Sequence, residues 1–152
     1  MIGPGDAGPG EVFDTAEELG RLLAEAGAVV VCGGLGGVME AVCRGARSAG
    51  GLTLGILPGS DRREANPYVE VAVPTGLGEA RNALVVRSAD VVVAVAGGYG
   101  TLSEIAFALR DGTPVVGVGT WELARGGEPD SGIVRVGDAA EAARTALELA
   151  RK

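Results

Sequence analysis

The stretch VAVAGGYGTLSE, Val93–Glu104, joins an alternating apolar run to three glycines within four positions and closes on an acid one turn into a helical segment. The valine-rich run around it, Asp90–Ala96, reads as a strand covered on both faces. Strand, glycine turn and helix in that order form the repeating unit of a doubly wound parallel sheet. Working outward, further strand-like runs fall at Ala28–Cys32, Leu52–Leu57, Val69–Val73, Thr113–Gly119 and Gly132–Val136. Helical patterns separate them at Thr15–Ala26, Gly37–Ala49, Gly78–Ser88, Thr101–Arg110 and Asp138–Ala150. The alternation predicts a three-layer α/β/α, Rossmann-like sheet that is mostly parallel, in a single domain spanning residues 1–152.

The helix over Gly37–Ala49 shows the pattern. Val38, Met39, Val42, Cys43, Ala46 and Ala49 make one apolar stripe, and Glu40, Arg44, Arg47 and Ser48 take the other face. Met39 is accordingly expected in the core. The stretch MIGPGD, Met1–Asp6, reads as the end of a first strand entering a glycine turn, with only Met1 and Ile2 left to form that strand.

Composition narrows the chemistry. The 152 residues carry a net charge of −7 and no histidine, which disfavours a generic nucleic-acid binder. Twelve of the thirteen basic residues are arginine, and Lys152 is the single lysine. Schiff-base chemistry and a Walker-type lysine are thereby excluded. Cys32 and Cys43 have neither histidine partners nor CxxC spacing, so no metal site is expected and both read as buried structural thiols. A basic leader followed by an apolar segment is missing, as is any membrane-length apolar run; the expectation is a cytoplasmic protein with no membrane partner.

In a doubly wound sheet ligands bind at the carboxyl ends of the strands. Four glycine turns fall there: Gly3–Gly8, Gly33–Gly37, Pro58–Ser60 and Ala96–Thr101. Glycine permits close approach of backbone to ligand, and the helix that follows offers unpaired N–H groups to an anion. Their convergence favours a phosphate or nucleotide site. The dinucleotide fingerprint is not met, because Met39 and Ser103 stand where its third glycine belongs. Glu104 has two readings: a carboxylate aimed at the site, or the N3 member of a Thr101–Glu104 capping box. Arg81 sits in the first turn of its helix, where a cation opposes the dipole. Either Glu104 or a bound phosphate would account for it, with Asn82 able to hydrogen-bond the same group; a solvated surface arginine is the plain alternative.

At these residues a family resemblance enters. GGLGGVMEAVCRGA (Gly33–Ala46), GILPG (Gly55–Gly59), EARN (Glu79–Asn82) and GGYGTLSEIAFAL (Gly97–Leu109) resemble the LOG-like Rossmann proteins, also labelled lysine decarboxylase-like. Their enzymatic branch, cytokinin-activating phosphoribohydrolases, carries Pro-Gly-Gly-x-Gly-Thr-x-x-Glu and an upstream Arg-Lys pair. By that resemblance Arg81 and Glu104 would be catalytic, and Gly97, Gly98, Gly100 and Thr101 would hold the phosphate. Ala96 replaces the proline and Asn82 the lysine. The chain is more similar to the short branch that includes molybdenum cofactor carrier proteins. The resemblance implies a carrier or sensor of a phosphorylated small molecule, a nucleotide or a pterin such as molybdenum cofactor. It requires no resident cofactor and implies a homodimer or higher homo-oligomer. The ligand-binding residues it implies are Gly33, Gly34, Gly36, Gly37, Pro58, Gly59, Arg81, Asn82, Gly97, Gly98, Tyr99, Gly100, Thr101 and Glu104. A decarboxylase using pyridoxal is not implied, since it would need an internal lysine.

Overall fold

Strand β4, Val92–Val95, is buried along its whole length, and its side chains divide by alternation between two cores. Val93 and Val95 join a cluster with Leu19, Val38, Val42 and Ala143, whereas Val92 and Ala94 join Val85, Val86, Ile105 and Ala108. A strand buried on both faces needs helices on both, and the computed structural model shows them. It describes residues 1–151; Lys152, the last residue of the expected single-domain span, lies outside them.

Helices α1 (Glu11–Glu25), α2 (Val38–Ser48) and α5 (Ala139–Ala150) cover one face. Helices α3 (Asn82–Arg87) and α4 (Tyr99–Asp111) cover the other. Between them run two parallel three-stranded ladders. One has the order β1 (Val30–Cys32), β2 (Thr53–Leu57), β3 (Val71–Pro74); the other has β4, β5 (Val115–Val118), β8 (Ile133–Val136). Met1 and Ile2 join them: Ile2 bridges Ala94 in parallel, and the Met1 nitrogen donates to the Val31 carbonyl at 2.8 Å. The doubly wound α/β/α fold is the one the alternation predicts.

Several boundaries differ from expectation. The Gly78–Ser88 segment is a 3₁₀ turn, Gly78–Arg81, that passes directly into α3. Helix α4 begins two residues early, at Tyr99. An antiparallel hairpin, β6 (Leu123–Arg125) and β7 (Glu128–Asp130), was not expected; Gly126 and Gly127 both have positive φ, as a two-residue type I′ turn demands.

Helices α1 and α2 cross so closely that a methyl on Gly45 would lie 1.8 Å from the Glu17 carbonyl oxygen, and one on Gly20 2.1 Å from that of Val42. Cys32 and Cys43 are buried free thiols with their sulfurs 3.5 Å apart. No helix among the described residues is long and apolar enough to cross a membrane.

Candidate functional site

The chain leaves β4 through Ala96, whose φ of 50° is left-handed, a conformation alanine seldom adopts. Neighbours hold the turn there. Ala96 N–H donates to Val118 O at 2.9 Å, Thr120 Oγ1 to Ala96 O at 2.5 Å, and Trp121 Nε1 to Gly98 O at 3.1 Å. Gly97, at φ 117°, lies over Thr101, where a methyl would come within 2.4 Å of the threonine Cβ.

Gly98 is the N-cap of α4 and no side chain caps that end. The Leu102 N–H makes the bond back to Gly98 O at 3.0 Å, leaving the N–H groups of Tyr99, Gly100 and Thr101 ahead of it as the helix's orphan donors. The capping-box reading therefore fails. Thr101 is the third residue of the helix, and Glu104 stands a full turn in, where no cap geometry reaches it.

Glu104 is instead 8 % exposed and lines a cavity of about 260 Å³ at the carboxyl ends of the strands. Arg81 lines the same cavity and is equally buried, so it is not a solvated surface arginine. Its Nη2 lies 3.4 Å from the Gly33 carbonyl, its Nη1 donates to Asn82 Oδ1, and its buried Nε has no partner. Among the described residues no carboxylate comes within 4.0 Å of the Arg81 guanidinium. The two charges face one space without closing on each other.

Burial governs both. It pushes the Glu104 carboxyl up to about 7, against the opposing pull of the Met1 amino group and of Arg81. It lowers the Arg81 guanidinium, with Glu104 acting in the other direction.

Of the residues expected at the site, Gly33, Arg81, Asn82, Gly98, Gly100, Thr101 and Glu104 line this cavity. Gly97 supports it from beneath, and Tyr99 does not line it; it is 82 % exposed, with its ring 5.5 Å from that of Trp121. The others lie behind the wall. Gly34 packs on Leu57 and Gly55, and Gly36 faces the Gly5 carbonyl. Gly37 packs under Pro4 and Gly5, and the α2 amide of Val38 is taken by Pro4 O at 3.0 Å. Pro58 and Gly59 brace the segment leading to Arg81, their carbonyls accepting from Gly78 and Gly76. Not assigned to the site in sequence were Asp6 and Met39, which also line the cavity, and Trp121, which pins its loop. Met39, expected in the core, is half-buried between core and cavity. A larger cavity of about 500 Å³ opens at the opposite end of the strands; aliphatic side chains and backbone make up most of its lining.

An arrangement of orphan helix N–H groups, an underemployed guanidinium and a carboxyl that titrates near neutrality can bind an anion and hold or move a proton. Two details bear on which. Asn82 Oδ1 accepts from Arg81, which a lysine there could not do. Ala96 adopts a φ that proline's ring forbids.

The family described as SLOG cluster4 has a model that matches residues 1–144. The molybdenum cofactor carrier protein of Chlamydomonas reinhardtii superposes with a TM-score of 0.83 at 34 % identity, over 99 % of this chain and 96 % of that one. The molybdenum cofactor binding protein of Rippkaea orientalis gives 0.74 at 45 % identity, over 78 % and 73 %. The cytokinin riboside 5′-monophosphate phosphoribohydrolase LOG of Oryza sativa subsp. japonica is 40 % identical over 96 residues, 60 % of this chain and 39 % of the rice protein.

Proposed function

The chain belongs to the SLOG cluster4 family, LOG-like Rossmann proteins, and from that premise we propose that its cavity binds a phosphorylated small molecule in a carrier or sensor role, with molybdenum cofactor the leading named ligand. The observation that carries this reading is the pair Arg81 and Glu104, each more than nine-tenths buried at one cavity, with Arg81 Nε lacking any partner. Burying a charge without a paired counter-charge is costly, and an anion seated on the guanidinium and the α4 N–H groups would relieve that cost. Methyls built on Gly98 and Gly100 would meet nothing within 4 Å. The fold itself does not require glycine at either position, and the space left open is the space a phosphate would occupy.

A second reading keeps one specific support. Glu104, raised to about 7 beside a cation, suits general acid–base work in a nucleoside 5′-monophosphate phosphoribohydrolase that also uses Arg81. Asn82 and Ala96, where the hydrolytic pattern has lysine and proline, favour the carrier. Incubation with nucleoside 5′-monophosphates, followed by chromatography for free base and calorimetry for binding, separates them. Binding without base release supports the carrier; release that Glu104→Gln abolishes supports the hydrolase; neither binding nor release overturns both for these ligands.

A further inference from the structure

We propose that the cavity at the amino ends of the strands is a strand-acceptor slot, whose occupant is an extended apolar segment that runs directly into Met1 and joins the two ladders into one sheet. The slot is independent of what the Arg81 cavity binds.

Backbone hydrogen bonds define it. Between β1 and β4 lie Met1 and Ile2, and they alternate sides as a central parallel strand does. Ile2 faces β4: its N–H donates to Val93 O at 2.9 Å and its carbonyl accepts from Val95 at 3.0 Å. Met1 faces β1, donating to Val31 O at 2.8 Å. Toward the amino ends the same gap continues as the cavity of about 500 Å³, lined by Val29 and Val31 on one edge and by Val91 and Val93 on the other.

Alternation fixes where those edges point. The Val30 N–H goes to Leu52 O on the β2 side, and the Val92 N–H to Pro114 O on the β5 side. The N–H groups of Val31 and Val93 therefore point into the slot. Among the described residues neither makes a backbone hydrogen bond, and the carbonyls of Val29 and Val91, next along each edge, accept none. Unpaired backbone groups inside a sheet are costly. Two residues ahead of Met1 in the same register would satisfy all four. The nearer would exchange bonds with Val91 and Val93, the farther with Val29 and Val31.

The lining sets the chemistry of the segment. Met1 packs in one core and Ile2 in the other, so a continued strand turns alternate side chains to each. Leu23, Ala146 and Leu147 line the slot, and its polar side chains are those of Ser88, Asp90 and Arg151 alone. Apolar residues fit both faces. Met1 itself is 7 % exposed, and burial holds its amino group below the ordinary value. A peptide N–H at that atom keeps the bond to Val31 O without burying a charge.

Amide hydrogen exchange and thermal melting on three forms test the slot: the 152-residue chain, the same chain with Lys-Val-Val-Val placed ahead of Met1, and one with Gly-Ser-Gly-Ser there. In the parent, Val31 and Val93 should exchange faster than Val30 and Val92. The valine form should slow Val31 and Val93 by about tenfold or more and melt higher, and the glycine–serine form should do neither. Unchanged exchange at Val31 and Val93 in the valine form overturns the slot, as does equal protection by the glycine–serine form. Parent amides already as slow as their neighbours overturn it too. So does a valine form that fails to fold where the glycine–serine form folds. Protection by the free peptide acetyl-Lys-Val-Val-Val-amide, and not by the extension, would give the slot to a separate chain and overturn this occupant.

Discussion

The guanidinium of Arg81 rests against the α-carbon of Gly33. A methyl built on that glycine would lie 2.6 Å from Nη2, 2.9 Å from Cζ and 2.7 Å from Met39 Sδ. Gly33 is thus the seat of the arginine. Gly33→Ala should displace the guanidinium and weaken ligand binding, at an overpacking cost of about 1–3 kcal/mol in stability. Calorimetry with guanosine 5′-monophosphate beside thermal unfolding checks both, and unchanged affinity would show that the arginine does not touch the ligand.

Arg81 itself should set function against stability. Arg81→Ala is expected to weaken binding by about 1.5–3 kcal/mol, the range for a charge-assisted contact. Arg81→Met should weaken it at least as far while leaving the unliganded protein as stable or more so, because it removes a buried charge whose Nε is unpaired. Urea midpoints measured without ligand decide this: a large loss of stability in the methionine variant would mean that Arg81 is chiefly a structural residue.

Gly98→Val should separate folding from binding. Gly98 has a φ of −98°, which any residue accepts, and its Cβ would point into open space. The variant is expected to melt with the parent and to lose phosphate binding, since the valine fills the approach to the α4 N–H groups. Retained binding would reduce the glycine loop to a plain turn.

Glu104 predicts a pH dependence of stability. Its carboxyl is raised from 4.5 to about 7 on folding, so the folded state holds the proton more tightly than the unfolded chain. Stability from this group is therefore full below pH about 4.5, falls as pH rises toward 7 and levels off above it, a loss of about 3 kcal/mol at most. Glu104→Gln should remove that decline and be the more stable protein at pH 8. Parallel urea titrations at pH 5 and 8 measure it; the same slope in both proteins would refute the assignment.

Helix crossing makes the sharpest stability prediction away from the site. With the Glu17 carbonyl 1.8 Å from any added Cβ, Gly45→Ala must push α2 off α1. The expected loss is about 3 kcal/mol, the upper part of the overpacking range. Calorimetric melting checks it.

The layers were legible because burial on two faces leaves a mark in sequence: β4 and β5 are runs of valine, and α2 carries a clear apolar stripe. Arg81 was legible as a cation at the wrong end of a helix. The start of α4 is not legible, because threonine before an apolar run looks like a cap while Gly98 is the N-cap. The buried contact between Thr101 and Gly97 that puts the threonine inside the helix has no local signature. Trp121 reaches Gly98 only because β5 pairs with β4, a neighbour relation set by topology across 23 residues. The hairpin did leave a signal, Gly126–Gly127, but its flanking Arg125 and Glu128 lack the apolar alternation that marks a strand.

Ala96 carries a consequence for how such loops diverge. An alanine codon becomes a proline codon by one base, GCN to CCN, so the Pro-Gly-Gly form of the loop is a single mutation away. Proline at position 96 would nevertheless need φ near −65° where the backbone holds 50°, and would forfeit the N–H that donates to Val118 O. The two loop forms are adjacent in the genetic code and separated in conformation. A lineage crossing from one to the other has to rebuild the edge between β4 and β5 before the base change can be tolerated.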